Sequence, residues 1–142
     1  MKVRIKTFDW KSLSYETSQA CGFDFRASED SIIKAGEFWL IETWTVIEVP
    51  DWYALQIQPR SSTFKNFWLI QTNSVGLIDK DYCWDNDTIK FSYLNVSKKD
   101  SIIKAGERIW QGIFIKIWIA NFEVVKVMWN NNRGWFWTTW NK

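Results

Sequence analysis

Apolar residues along this 142-residue chain recur mainly at every second position and nowhere sustain the three-and-four spacing of a helix. Val3 and Ile5 alternate with charged residues, Phe23 and Phe25 flank Asp24, and Tyr53, Leu55 and Ile57 alternate with Ala54, Gln56 and Gln58. Each reads as a half-buried strand with one face on a core. Longer β-branched and aromatic runs at 38–49, 109–119 and 122–128 are predicted as longer strands. Leu77-Ile78, opened by Gly76, is predicted as a short buried strand that stops at Asp79, and a short helix is predicted after Pro59, around 62–66. Many short strands separated by turn residues argue for an all-β sandwich, barrel or jelly roll.

An internal repeat supports this. Asp30-Ser31-Ile32-Ile33-Lys34-Ala35-Gly36-Glu37 recurs residue for residue from Asp100 to Glu107. The octets read as one device used on two sheets, a short strand turning at Lys-Ala-Gly into a long one, and two copies make no solenoid. The polar, Asn-, Thr- and Trp-rich end differs, so residues 1–129 are predicted as one β domain and 130–142 as a flexible C-terminal arm.

Composition narrows the chemistry. A formal charge of +2 gives no electrostatic case for nucleic acid or an anionic membrane. No apolar run reaches the ~18 residues of a membrane span, and the first residues lack the apolar block of a signal peptide, so a cytoplasmic protein is expected. Cys21 and Cys83 show no paired spacing that suggests a zinc cage or disulfide framework. With 0 histidines, catalytic triads, Cys-His dyads and histidine-ligated zinc are excluded, and carboxylates remain the natural proton acceptors. Asp79, at the end of a short strand, is placed as a candidate general base.

Five stretches together resemble the trimeric dUTPase family over nearly the whole chain. Cys21-Gly22-Phe23-Asp24-Phe25-Arg26-Ala27 resembles its first motif and Pro59-Arg60-Ser61-Ser62 its second. Asn73 through Trp84 resembles the third, Gly106-Glu107-Arg108-Ile109-Trp110-Gln111 the fourth, and Arg133 through Trp140 the glycine-rich fifth. The segments Lys65-Asn66-Phe67 and Gln71-Thr72-Asn73-Ser74 look like its phage and firmicute branch.

The resemblance implies a jelly-roll-like distorted β-barrel, a homotrimer with shared active sites, and Mg²⁺-dependent hydrolysis of dUTP to dUMP and pyrophosphate. It implies Asp79 as the residue that orients and deprotonates the attacking water, and Asp24 as holding Mg²⁺ through water. Arg60, Ser61, Ser62 and Gln111 are implied at the phosphates, Arg60 equally as a lock on a carboxylate. Asn73, Gly76, Leu77 and Ile78 are implied around uracil, with Tyr82 under the deoxyribose, where a 2′-hydroxyl would not fit. In the arm, Phe136 would close over uracil while Arg133, Thr138 and Thr139 meet the γ-phosphate. dCTP deaminase, a rival of the same fold, is disfavoured by Ile78-Asp79-Lys80-Asp81-Tyr82 and by the fifth motif. A non-catalytic, phage-type nucleotide-binding regulator that contacts a repressor is the rival from another class.

Tryptophan breaks the pattern. The chain has 12 tryptophans and only 6 glycines, where average usage of ~7% gives about ten glycines. Trp44, Trp52, Trp68, Trp84, Trp129, Trp135, Trp137 and Trp140 stand where the family pattern has glycine. Trp52 is anomalous without any family: the third residue of a Pro50-Asp51-x turn favours positive φ, and hence glycine. The one-directional exchange reads as a gene whose UGA codons specify glycine. Trp10, Trp39, Trp110 and Trp118 are left as aromatic core or surface residues.

Overall fold

The computed structural model describes residues 1–7 and 13–128. In chain order these form β1 (Ile5–Thr7), β2 (Phe23–Arg26), β3 (Ser31–Ile33), β4 (Phe38–Glu42), β5 (Thr45–Ile47), β6 (Tyr53–Pro59), α1 (Thr63–Phe67), β7 (Leu69–Gln71), β8 (Gly76–Ile78), β9 (Lys90–Asn95), β10 (Ser101–Ile103) and β11 (Arg108–Lys116). Two antiparallel sheets, ordered β2-β11-β6-β8 and β4-β9-β7, face each other, and the pairs β1-β5 and β3-β10 complete the described strands. The all-β expectation holds.

The core follows from the alternation. Leu55 and Ile57 of β6 and Phe23 and Phe25 of β2 are buried, while Gln56, Gln58 and Asp24 take the other face. Phe91 of β9 joins the sheets: its ring lies 4.4 Å from Trp110 and 5.3 Å from Phe25. Each such fully buried side chain contributes roughly 1.5–3 kcal/mol relative to an exposed one. Trp110, left open between core and surface, belongs to the core.

The octets turn into β4 and β11, which lie in different sheets as expected, and they also pair with each other, Ile32 opposite Ile102. Each octet's aspartate accepts the other turn's backbone N–H, Ala105 to Asp30 at 2.9 Å and Ala35 to Asp100 at 3.2 Å. Gly36 and Gly106 sit at φ +77° and +86°, which explains the glycine in each copy.

Three expectations need correction. The run 38–49 is two strands, interrupted at Thr43-Trp44, where Trp44 has a left-handed φ of 50°. The segment 122–128 forms no strand, and Phe122 and Val124 are almost fully exposed. Apolar and β-branched content makes a strand only where a sheet edge is available to pair with, and the backbone of 122–128 has none among the described residues. Finally, β8 forms but is not buried throughout: Gly76 is inside, Leu77 is 63% exposed and Ile78 half-buried, because β8 is an edge strand whose alternate side chain points outward.

The helix appears at Thr63–Phe67 and ends at Trp68, whose φ 55° and ψ 33° are left-handed and whose N–H donates to the Phe64 carbonyl at 2.8 Å. Trp52 also has a left-handed φ, 66°. For a residue with a Cβ this conformation costs roughly 1–2 kcal/mol. Trp84, which also stands where the family pattern has glycine, has no positive φ. The expected arm, with Arg133, Phe136, Thr138 and Thr139, lies outside the described residues, as do Trp10, Trp129, Trp135, Trp137 and Trp140.

Candidate active site

Strand pairing sets Asp24 of β2, Gln111 of β11 and Gln58 of β6 in one row across the outer face of the four-stranded sheet. Asp24 is nearly buried, with a side chain 9% exposed, so its charge requires partners. It has two: Arg60 Nε lies 3.0 Å from Oδ1 and Arg108 Nη1 3.3 Å from Oδ2. Arg60 is further fixed by its own N–H, which donates to the Ile109 carbonyl at 3.2 Å, and by Nη1, which donates to the Arg108 carbonyl at 3.1 Å. Of the two roles read for Arg60, the geometry displays the lock. Gln111 Nε2 donates to the Pro59 carbonyl at 3.3 Å, tying β11 to the start of the Arg60-Ser61-Ser62 turn.

Ser61 is exposed and Ser62 half-buried at the start of α1. Ser62 occupies the N-cap position in an αR conformation without spending its side chain on a cap hydrogen bond. Thr63 instead anchors the turn, its hydroxyl donating to the Ile109 carbonyl at 2.7 Å. Both serines directly follow Arg60 in the turn that leads into α1.

Sequence reasoning missed two members of this cluster. Arg108 lies within a quoted motif but was given no task, and Glu16 lies in a stretch with no periodicity. Arg108 Nη1 contacts Glu16 Oε2 at 2.5 Å, so an alternating chain of charges runs Glu16–Arg108–Asp24–Arg60. The hydrogen bond from Arg108 holds the Glu16 carboxyl below the usual carboxylate range, and the same contact raises the Arg108 guanidinium.

The second cluster is the Asn73–Tyr82 hairpin. Asn73 Oδ1 accepts from Gln71 Nε2 at 2.9 Å and from Ser92 Oγ at 3.4 Å, which commits the carboxamide oxygen and leaves the Nδ2 donor without an acceptor among the described residues. Gly76 lies against β6 so closely that a Cβ there would come 2.4 Å from Ile57 Cγ1. Only glycine lets the two backbones pair here. Leu77 and Ile78 continue the strand, and a turn follows in which the Tyr82 N–H donates to the Asp79 carbonyl at 3.2 Å. The Tyr82 hydroxyl donates to the Thr88 carbonyl at 3.0 Å, holding a 40% exposed ring at the surface. Asp79 is exposed, and its carboxylate has no side-chain partner among the described residues. Lys80, next to it, is drawn away into an ion pair with Asp51 that raises its pKa.

The hairpin runs antiparallel to β6, so its two ends stand at different distances from the Arg60 turn: Gly76 pairs with Ile57, two residues before Pro59. Ile78 pairs with Leu55, so Asp79 stands beside Ala54, and Pro59 lies five strand positions further on, roughly 17 Å away. Asp79 thus lies at the end of the hairpin remote from the Arg60 turn, and Asn73 at the nearer end. Among the described residues no three His, Cys, Asp or Glu side chains gather as a metal cage, and no helix is long and apolar enough to cross a membrane.

A family model described as dUTPase matches residues 9–135. The SPbeta prophage-derived deoxyuridine 5'-triphosphate nucleotidohydrolase of Bacillus subtilis is 41% identical over 112 residues, 78% of each chain. The Helicobacter hepaticus deoxyuridine 5'-triphosphate nucleotidohydrolase is 34% identical over 136 residues, 94% of this chain and 84% of that one. The crystal structure of dUTPase from Streptococcus mutans superposes with a TM-score of 0.76 at 27% identity, covering 83% of this chain and 98% of that one. The dUTPase of Staphylococcus bacteriophage 80alpha shares the fold, with a TM-score of 0.80 at 17% identity over 89% of this chain and 97% of that one.

Proposed function

The chain belongs to the dUTPase family and is a dUTP diphosphatase, and from that premise we propose how its two clusters divide the reaction. Asp79 accepts a proton from a water that attacks the α-phosphorus of dUTP; the bond to the bridging oxygen breaks, releasing dUMP and pyrophosphate. The observation that carries this is Asp79 itself, an exposed carboxylate without a side-chain partner among the described residues, set beside a hairpin with a committed Asn73. Asn73 Nδ2 and the backbone of Gly76, Leu77 and Ile78 match the edge of uracil, and a cytosine there leaves polar groups unpaired. Tyr82 packs under the deoxyribose and leaves no room for a 2′-hydroxyl.

Ser61, Ser62 and Gln111 donate to the triphosphate, while Arg60, held by Asp24, adds positive charge close by without leaving its place. The donor set fits Mg²⁺ in one way only. Asp24 already receives two guanidinium groups, and among the described residues it belongs to no cluster of three or more metal-ligating side chains. It suits an ion that keeps its hydration and is held through water. When bound, Mg²⁺ offsets the charge of the phosphate oxygens.

The roughly 17 Å along β6 between Asp79 and the Arg60 turn favours an assembly in which one subunit's Asp79 faces another's Arg60, Ser61, Ser62 and Gln111. A homotrimer with shared sites meets that need. The arm, through Arg133, Phe136, Thr138 and Thr139, covers the bound nucleotide, and the setting is the cytoplasm, where the deoxynucleotide pool lies.

Mixing two inactive variants tests this reading. Asp79→Asn and Arg60→Ala chains, unfolded together and refolded, recover roughly a quarter of the wild-type pyrophosphate release from dUTP if each site draws on two subunits. No recovery, with both variants assembling normally, places the whole site in one chain and overturns the shared arrangement.

A further inference from the structure

We infer that the protein, as its own source makes it, carries glycine at positions 44, 52 and 68, its gene specifying glycine by UGA codons that the sequence renders as tryptophan. Four non-glycine residues among those described have positive φ: Trp44 at 50°, Trp52 at 66°, Trp68 at 55° and Ser74 at 57°. Only a few per cent of non-glycine residues adopt such angles, and bulky residues far fewer. Yet three of these four are the same bulky type, drawn from seven described tryptophans. Unrelated local strains would not select one residue type.

The three turns differ, and each requires glycine for its own reason. At Trp68 the helix α1 ends in a left-handed residue whose N–H bonds back to Phe64, the arrangement in which glycine terminates helices. At Trp52 the Tyr53 N–H donates to the Pro50 carbonyl at 3.2 Å, making Trp52 the third residue of a β-turn with positive φ there. At Trp44 the chain breaks between β4 and β5, its N–H donating to Glu42 Oε1 at 2.9 Å. The indoles are 39%, 58% and 54% exposed at Trp44, Trp52 and Trp68, so none is a core residue for which the strain would be repaid by full burial.

The same chain supplies its own control. Where a left-handed residue is needed in the two octets, glycine is present, Gly36 at 77° and Gly106 at 86°. The gene therefore also places glycine at such positions in a form read conventionally. Trp39, equally exposed at 54% but in the middle of β4 without positive φ, is an ordinary strand tryptophan.

Peptide mass spectrometry of the protein isolated from its own source, beside the codons of its gene, decides the matter. UGA at all three positions with glycine in the peptides is expected; a UGG codon or a tryptophan-containing peptide at any of the three overturns the inference. A second arm uses recombinant chains. Replacing all three, Trp44→Gly, Trp52→Gly and Trp68→Gly, is expected to raise the melting temperature by about 3 °C per position, whereas Trp39→Gly lowers it. A fall in the triple variant comparable to that of Trp39→Gly refutes the claim that the backbone is built for glycine. Neither arm depends on catalytic activity, so the inference stands or falls apart from the proposed mechanism.

Discussion

The Arg60–Asp24–Arg108 cluster and the Asn73–Tyr82 hairpin are built in opposite ways. In the first, a nearly buried carboxylate is held by two guanidinium groups, each fixed in turn by backbone carbonyls or another carboxylate. In the second, the carboxylate proposed as the base, Asp79, is exposed and its neighbouring lysine is tied elsewhere. Under the proposed mechanism the contrast separates groups set in place before a polyanion arrives from a group kept available to a proton. It also locates their costs: disturbing the first should alter stability and activity together, and disturbing the second should alter activity alone.

Asp79→Asn is the sharpest test of that split. Asparagine keeps the shape and removes the base, so pyrophosphate release from saturating dUTP should fall on the order of a thousandfold. The melting temperature should stay within about 1 °C, since nothing described depends on this side chain. A variant that unfolds early would show that Asp79 is structural and would erase the contrast.

Asp24→Asn should do both kinds of damage. Two guanidinium groups would then share a neighbour without negative charge, and the expected loss of stability is about 1–3 kcal/mol by denaturant titration, below that of a fully buried pair because Arg60 and Arg108 are about a third exposed. Activity should also require more Mg²⁺ than the wild type does. An unchanged Mg²⁺ dependence alongside lowered stability would reduce Asp24 to a structural residue.

The fold was legible in the sequence where alternation and burial coincide. β2 and β6 show one apolar face each, and the octets announced their turns through Lys-Ala-Gly. It was misleading where apolar residues lack a sheet edge, as in 122–128, and where an edge strand turns an apolar side chain outward, as at Leu77. For the candidate site, Asp79, Asn73, Tyr82 and the Arg60-Ser61-Ser62 turn were named through the resemblance of their stretches to the family's motifs. Glu16 could not be, because its role arises from a contact 92 residues away in sequence, with Arg108. Local pattern carries no record of such a pair. The positive φ at Trp52 was readable from Pro50-Asp51, whereas the breaks at Trp44 and Trp68 became independent observations only in three dimensions.

A third substitution probes how the hairpin is held. Gly76→Ala puts a methyl group into the space of Ile57 Cγ1, and relieving that overlap should cost about 1–3 kcal/mol by moving β8 off β6. Since Asn73 and Asp79 flank this strand, activity should fall with it. Adding Ile57→Ala should restore part of the hairpin's activity despite the cavity it leaves. If the double variant is no more active than Gly76→Ala, the close approach of β8 to β6 is not what positions the base.

The smallest effect concerns the outer end of the charge chain. Arg108 holds the Glu16 carboxyl below its reference value of 4.5, so this pair favours the folded state at pH values above that reference. As pH falls through the lowered folded-state value the carboxyl is protonated, and the contribution disappears. The wild type and Glu16→Gln should therefore differ most in melting temperature near neutrality and converge in acid, with the wild type the more stable at pH 7. Glu16 is largely solvent-exposed, which keeps the difference small, and raised salt should shrink it further. Because Glu16 touches Asp24 only through Arg108, the same variant should leave the catalytic rate at pH 7 nearly unchanged. If it instead lowers activity as much as Asp24→Asn does, Arg108 is transmitting orientation and the locked cluster extends to the protein surface.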